Sequence, residues 1–344
     1  MVVTSVVSTR FLANRIINQL RCSWSYALSL FGIVRVRHLP TFVSVEPANF
    51  CQLHCPECPV GIASRLSPLA SSPNRLMTME LFHRILDDVK EHAHTMQFYF
   101  QGEPLLNKQL PEMIAMAHQV GLYTIVSTNA QALNRSTAEA LVKSGLSHII
   151  VSIDGFSEES YAAYRVGGSL HKALEGLQHL ANAKAELHSR IRIELQVLRL
   201  RSNEHEWDWI KKNYKKLGAT HLVFKTAQLY NFEHGHPLMP TDERYSRYRK
   251  TADGTYVHKK SSLHSTPYTL HRAYGASCLR LWSGCVITTS GDVLPCCYDK
   301  DHRHTLGNIT THSLSEIFHS NKANTLRKHI LTGHLPKMCK NCDQ

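Results

Sequence analysis

Three cysteines fall within eight residues, in the run Cys51-Gln52-Leu53-His54-Cys55-Pro56-Glu57-Cys58. Thiolates this close on one loop can ligate three irons of a 4Fe–4S cubane, leaving the fourth iron without a protein ligand. An open coordination position is what a metal needs to bind a substrate. The same spacing also suits a structural zinc ion held by the three thiols with His54 or a distant residue. Six of the ten cysteines follow position 277, and Cys22 stands apart from both groups. Clusters of this kind in a 344-residue chain point to metal ligation in a reducing compartment, with a cytoplasmic location expected, rather than to a secreted disulfide framework.

Short apolar runs alternate with amphipathic stretches, and these elements must position the thiols. Strands are expected at 42–45, 96–100, 123–127, 148–153, 191–198 and 221–225. Helices are expected at 79–91, 108–120, 136–144, 158–164, 170–187 and 204–217. Six strands alternating with helices call for a parallel sheet of right-handed βα units. Six units are two short of a closed barrel, so residues 40–229 are expected to form a partial (β/α)6 TIM-like barrel of the α/β class. Ligands should then sit at the carboxyl ends of its strands. Residues 230–277 read as a bridge with one or two short helices. Residues 278–344 read as a small α+β domain with a β-hairpin, strands 281–288 and 293–295 about Ser290-Gly291-Asp292, then helices at 314–319 and 324–331.

Cys51, Cys55 and Cys58 follow C-x3-C-x2-C in the loop after the first strand, and here the chain resembles the radical S-adenosylmethionine (SAM) superfamily. The resemblance implies that the open iron binds SAM through its amino and carboxylate groups. Reductive cleavage of SAM then gives a 5′-deoxyadenosyl radical that abstracts hydrogen from substrate. Gln101-Gly102-Glu103-Pro104 resembles the family's GGEP motif, which holds the SAM amino group, with Gln101 in place of the first Gly. A Gly lets the backbone approach a ligand closely, and a Glu carboxylate pairs with an ammonium. Ser127-Thr128-Asn129 is similar to the ribose- and methionine-facing T-N-G, and Ser152-Ile153-Asp154-Gly155 to S-I-D-G. Arg165 resembles an arginine that pairs with the SAM carboxylate. Glu57 stands where many members carry an aromatic residue beside the adenine. Each match alone has an ordinary reading as a turn, a cap or a surface charge; four in family order set zinc aside.

Cys278, Cys296, Cys339 and Cys342 are separated by 17, 42 and two residues, with Gly291 completing C-x12-G-x4-C. This resembles the opening of the SPASM domain of peptide-modifying radical SAM enzymes, in the shortened twitch form. It implies one auxiliary 4Fe–4S cluster; four cysteines around zinc is the other reading. Cys297 and Asp299 are candidate catalytic proton acceptors, since anaerobic sulfatase-maturating enzymes place an aspartate near there. Cys285 reads as a small buried apolar residue, and His234 and His236 as ordinary surface or satisfied core histidines. The resemblance as a whole implies a radical SAM oxidoreductase acting on a peptide or a small alcohol or sugar. An external flavodoxin- or ferredoxin-type electron donor and a net oxidation assisted by the auxiliary cluster complete the expectation. The competing class, a non-catalytic metal-binding or electron-transfer iron–sulfur protein, has no use for the residues at the strand ends.

Lys plus Arg exceed Asp plus Glu by 39 to 27. That surplus favours anionic partners in general, but the basic residues are scattered, so nucleic acid is not an expected partner. Residues 1–39 read as a helical extension. Arg10, Arg15 and Arg21 precede the uncharged run 22–34, whose 13 residues are too few to span a bilayer. Phe11, Ile16, Leu20 and Trp24 recur at helical spacing, the pattern of a helix packed on the main domain, which is expected in preference to a peripheral membrane contact.

Overall fold

The computed structural model describes residues 9–66, 75–259, 278–339 and 342. Helix α1 (Thr9–Leu30) precedes β1 (Phe42–Val45). There follow α2 (Pro59–Leu66), α3 (Met79–Val89), β2 (Thr95–Phe98), α4 (Leu110–Gln119), β3 (Tyr123–Thr128) and α5 (Arg135–Lys143). Then come β4 (His148–Ser152), α6 (Glu158–Ala162), α7 (Leu170–Glu186), β5 (Arg192–Arg199), α8 (Trp207–Asn213) and β6 (His221–Thr226). β1 to β6 pair in parallel, each with the next, which is the partial barrel expected. Val43, Val45, Met96, Phe98, Ile149 and Val151 are buried on these strands, in one core with Phe82, Ile85, Leu86 and Val89 of the apolar face of α3. Thr78, Asn134, Ser157 and Ser169 start four of the helices by accepting an N–H of the first turn, which fixes where each helix begins.

After β6, the described part of the bridge holds a 3-10 turn (Glu243–Tyr245) and an antiparallel ribbon, β7 (Tyr248–Lys250) with β8 (Tyr256–His258). The rest of the expected bridge, 260–277, lies outside the described residues. The C-terminal unit comprises α9 (Leu279–Ser283), β9 (Gly284–Ile287), β10 (Asp292–Leu294), β11 (Gly307–Asn308), α10 (Leu314–His319) and α11 (Asn321–Leu331). Its hairpin joins the barrel sheet: β9 lies parallel to β1, from Phe42↔Gly284 to Val45↔Ile287. The nine strands run β11-β10-β9-β1-β2-β3-β4-β5-β6. The strand expected from 281 begins only at Gly284, because Leu281 and Trp282 are buried from the short helix α9. A side chain at Gly284 would bring its Cβ within 2.9 Å of the Phe42 carbonyl, so this position admits the close approach that starts the pairing.

α1 packs across the amino ends of the strands, and it does so with the opposite face to the one its apolar spacing suggests. Its buried residues are Arg15, Asn18, Cys22, Ser25 and Ser29. Arg15 donates to the carbonyls of Gly121, Lys90 and Val120 at 2.9, 2.6 and 2.7 Å. Asn18 donates to the Leu39 and His92 carbonyls at 2.9 and 3.2 Å. His38 bridges Ser25 Oγ (3.1 Å) and the Trp282 carbonyl (2.7 Å). Lys90 and Val120 end α3 and α4, whose terminal carbonyls lack partners within the helix, so a polar stripe is what this surface needs. Ile16, Leu20 and Trp24 are left facing outward. Among the described residues no helix is long and apolar enough to cross a membrane.

Candidate iron–sulfur and SAM site

The loop from β1 to α2 carries Cys51, Cys55 and Cys58. His54 N donates to the Val166 carbonyl at 2.9 Å and Gln52 Nε2 to Asn129 Oδ1 at 3.2 Å, which ties the loop to the α6–α7 connection and to the end of β3. Cys51 Sγ accepts from Leu53 N at 3.4 Å and from Asn129 Nδ2 at 3.3 Å. Arg165 Nη1 lies 4.0 Å from Cys55 Sγ. Burial pushes the Cys51 thiol up to about 12; Glu103 and the neighbouring thiols of Cys55 and Cys58 add to it, and the Leu53 N–H opposes it. Burial also raises Cys55, against the pull of Arg165. Cys51 and Cys55 therefore resist bare thiolate charge, and cationic iron bound there would displace their protons. N–H donors aimed at the sulfurs are what tunes a bound iron–sulfur cluster, so the donor set fits a cubane. Among the described residues no three His, Cys, Asp or Glu side chains close on a single-ion position; a cubane instead places each thiolate on its own iron.

Gly102 lies against this loop. A Cβ there would stand 2.1 Å from the Ala48 carbonyl oxygen and 2.7 Å from Phe50 N, so only glycine fits. Glu103, which the sequence pairs with an ammonium, is sealed from solvent and clamps β2 to β3. Its carboxylate accepts from Thr128 Oγ1 (2.7 Å), Asn129 N (2.9 Å) and Leu105 N (3.2 Å). Pro104, itself buried, opens the turn that follows. Gln101, the departure from the family's glycine, donates its Nε2 to the Lys300 carbonyl at 2.9 Å and so fastens the motif to the C-terminal unit.

At the end of β4, Ser152 Oγ accepts from Gln196 Nε2 at 3.5 Å. Asp154 accepts from Leu198 N at 2.6 Å and pairs with Arg165 Nη2 at 2.6 Å. Burial works against the Arg165 charge, but Asp154 and Cys55 more than offset it and its pKa rises. Arg165 Nε is buried without a hydrogen-bond partner among the described residues. The Arg165 side chain keeps some exposure beside the thiols, and a guanidinium there suits an amino acid's carboxylate.

Cys278 stands at the amino end of α9, Cys296 and Cys297 follow β10, and Cys342 N donates to the Cys339 carbonyl at 3.2 Å. Burial pushes Cys339 up to about 12, with Cys278 and Cys342 adding to it. Burial raises Cys296 too, with Cys297, Cys278 and Cys339 among the contributors. Each of the four predicted ligands thus lies in electrostatic reach of another. Cys285 is a buried strand residue, as its sequence context suggests. The two candidate proton acceptors differ: Asp299 is buried with its oxygens taken by Arg303 N (3.1 Å) and His304 N (3.0 Å), whereas Cys297 Sγ meets Arg280 Nη1 at 3.4 Å. Three features have no signal in the sequence. Lys300, whose pKa burial lowers, is in electrostatic reach of both Cys58 and Cys297. Arg280 faces the C-terminal thiols. Glu57 accepts from Tyr230 N (2.8 Å) and pairs with His236 (3.2 Å), so that histidine anchors the bridge to the cysteine loop.

A parallel half-barrel with three thiols on the loop at its carboxyl rim is the architecture of a radical SAM enzyme. The chain belongs to the radical SAM superfamily, whose model matches residues 45–191, and its C-terminus matches the SPASM iron–sulfur cluster-binding domain over residues 278–343. Its cofactors are SAM, the 4Fe–4S cluster that binds it, and an auxiliary 4Fe–4S cluster. The chain is 28% identical over 315 residues to the PqqA peptide cyclase of Rhizobium meliloti (strain 1021), covering 89% of this chain and 80% of that one. A second PqqA peptide cyclase, from Rhodopseudomonas palustris, is 28% identical over 320 residues, with 88% and 79% covered. Streptococcus suis SuiB bound to S-adenosylmethionine superposes with a TM-score of 0.61 at 13% identity, covering 84% of this chain and 68% of that one. The anSMEcpe structure with bound AdoMet gives 0.60 at 18% identity, with 88% and 83% covered. These two likenesses are of fold.

Proposed function

We propose that this chain cleaves SAM reductively and oxidises a peptide at a C–H bond. The reading is carried by the Cys51–Cys58 loop, held at the carboxyl ends of the strands with Arg165 Nη1 4.0 Å from Cys55 Sγ and Asn129 Nδ2 3.3 Å from Cys51 Sγ. Cys51, Cys55 and Cys58 would hold the first cluster, and Cys278, Cys296, Cys339 and Cys342 the second. When bound, these groups supply a 5′-deoxyadenosyl radical for hydrogen abstraction and an acceptor for the substrate's surplus electron, so the net change is a two-electron oxidation. Gly102 packs its motif closely on the cysteine loop, and the guanidinium of Arg165 would meet the SAM carboxylate. Asn129 orients the Cys51 sulfur, Ser152 borders the rim, and Glu103 and Asp154 hold these groups in register. Cys297, next to Arg280, is the better placed of the two proton acceptors, because both Asp299 oxygens are engaged. A peptide substrate is supported by the relatives, which are peptide cyclases. The net charge of +12 suits an acidic electron donor of flavodoxin or ferredoxin type.

The test is anaerobic reconstitution with iron and sulfide, followed by iron content, 5′-deoxyadenosine release under reductant, and mass spectrometry of candidate peptides. About eight irons per chain, and a peptide product lighter by two hydrogens, are expected. Replacing Cys51, Cys55 and Cys58 with Ala should abolish 5′-deoxyadenosine. Zinc in place of iron, with no SAM cleavage, would overturn the assignment.

A further inference from the structure

We infer that α1 and the segment after it form a docking surface for an anionic lipid bilayer. The inward stripe of α1 is polar because strand-end and helix-end carbonyls need its donors, so folding of this chain makes no use of the apolar residues opposite. Those residues, Ile16, Ile17, Leu20, Trp24, Phe31 and Ile33, form one outward band; Leu20 is 65% exposed, Trp24 66% and Phe31 77%. An unpaired apolar band on a long helix is the feature that lies flat in a membrane interface, with Trp at its boundary.

Charge identifies the occupant. Residues 1–45 contain no Asp or Glu. Arg21, Arg35 and Arg37 are exposed beside the band, and no ion pair among the described residues engages them. With Leu20, Trp24 and Ser25 they line an open depression of about 640 Å³. Three guanidiniums around an apolar floor match the phosphates and upper acyl chains of anionic phospholipids. The nearby Glu91 is engaged by Arg10 at 3.7 Å and Asn14 at 3.2 Å and leaves this sign unchanged. The surface lies at the amino ends of the strands, so the chain would rest on the bilayer with its SAM rim turned away.

The cluster-loaded full chain would be sedimented with phosphatidylcholine vesicles, pure or containing about one-third phosphatidylglycerol, at low and high salt. Binding to the anionic vesicles alone is expected, released by salt, with a blue shift of fluorescence that Trp24→Phe removes. Replacing Arg21, Arg35 and Arg37 together by Gln should weaken partition by roughly a hundredfold, about fivefold per arginine. Leu20→Asp should abolish it, and both variants should keep the wild-type rate of 5′-deoxyadenosine formation. Equal binding to both vesicles, no binding, or binding that survives both variants would overturn the inference. So would a dimer that Leu20→Asp dissociates, which would assign the band to a second copy of this chain.

Discussion

Replacing Asp154 by Asn tests whether the pair it makes with Arg165 holds the rim together. The carboxylate is fully buried, 2.6 Å from Arg165 Nη2 and 2.6 Å from Leu198 N. Asn preserves the shape and a carbonyl for Leu198, but it strands a guanidinium that cannot shed its proton. Removing one partner of a buried pair costs about 3–5 kcal/mol. The Cys55 sulfur, 4.0 Å from Nη1, gives partial relief, so a loss of about 3 kcal/mol is expected at pH values where Asp154 is ionised. Arg165→Met behaves differently, because Asp154, already raised by burial, can accept a proton. With its folded pKa above the unfolded one, that variant keeps its stability at low pH and loses it as pH rises through the folded value. Urea denaturation of the cluster-free protein, followed by circular dichroism from about pH 5 to pH 8, separates the two. The double variant should cost less than the sum of the singles. A cost below about 1 kcal/mol for Asp154→Asn, or additive singles, would show that the pair is not what fastens the rim.

Burial pushes Glu46 up to about 7, against N–H groups of Thr289 and Gln101. Its contribution is therefore complete below its ordinary value of 4.5 and lost as pH rises through about 7. Glu46→Gln should remove roughly 3 kcal/mol of that pH dependence and melt higher than wild type at alkaline pH; parallel melting curves across the window would refute this. Gly102→Ala places a Cβ 2.1 Å from the Ala48 oxygen. A displacement of about 1 Å should cut 5′-deoxyadenosine formation about a hundredfold while iron content stays intact, and a normal rate would show that this close packing does not position the site. Arg15→Met removes three hydrogen bonds to carbonyls. It should cost about 3 kcal/mol and speed amide exchange in α1, whereas unchanged protection would place the anchor elsewhere.

Strand positions and cysteine groupings were legible because period and spacing are local properties. β1 falls where the run Phe42–Val45 puts it, and the thiols sit on the loop that follows. Phase was harder to read. The helical period of Ile16, Leu20 and Trp24 is real, but the partner surface is a row of carbonyls, so the stripe that packs is Arg15, Asn18 and Ser25. Leu281 and Trp282 read as strand because they are bulky and apolar, although both are buried from α9. Gln101 looked like a flaw in a glycine motif, yet its amide reaches Lys300, 199 positions away. Lys300, Arg280 and the Glu57–His236 pair depend on which loops meet across the rim, and no spacing along the chain encodes that.

The parallel contact of β9 with β1 also bears on how the molecule is made. β1 sits between β2 and β9, and its second neighbour is synthesised some 240 residues later. Until Ile287 has left the ribosome, the backbone groups of Phe42–Val45 on that side stay open to any other extended chain. Closing so wide a loop is slow compared with pairing consecutive strands. A nascent barrel therefore waits with one raw margin, and a product truncated before β9 would retain it and tend to aggregate. The C-terminal hairpin completes the sheet as well as carrying ligands, so cutting it away would compromise the barrel along with the auxiliary cluster.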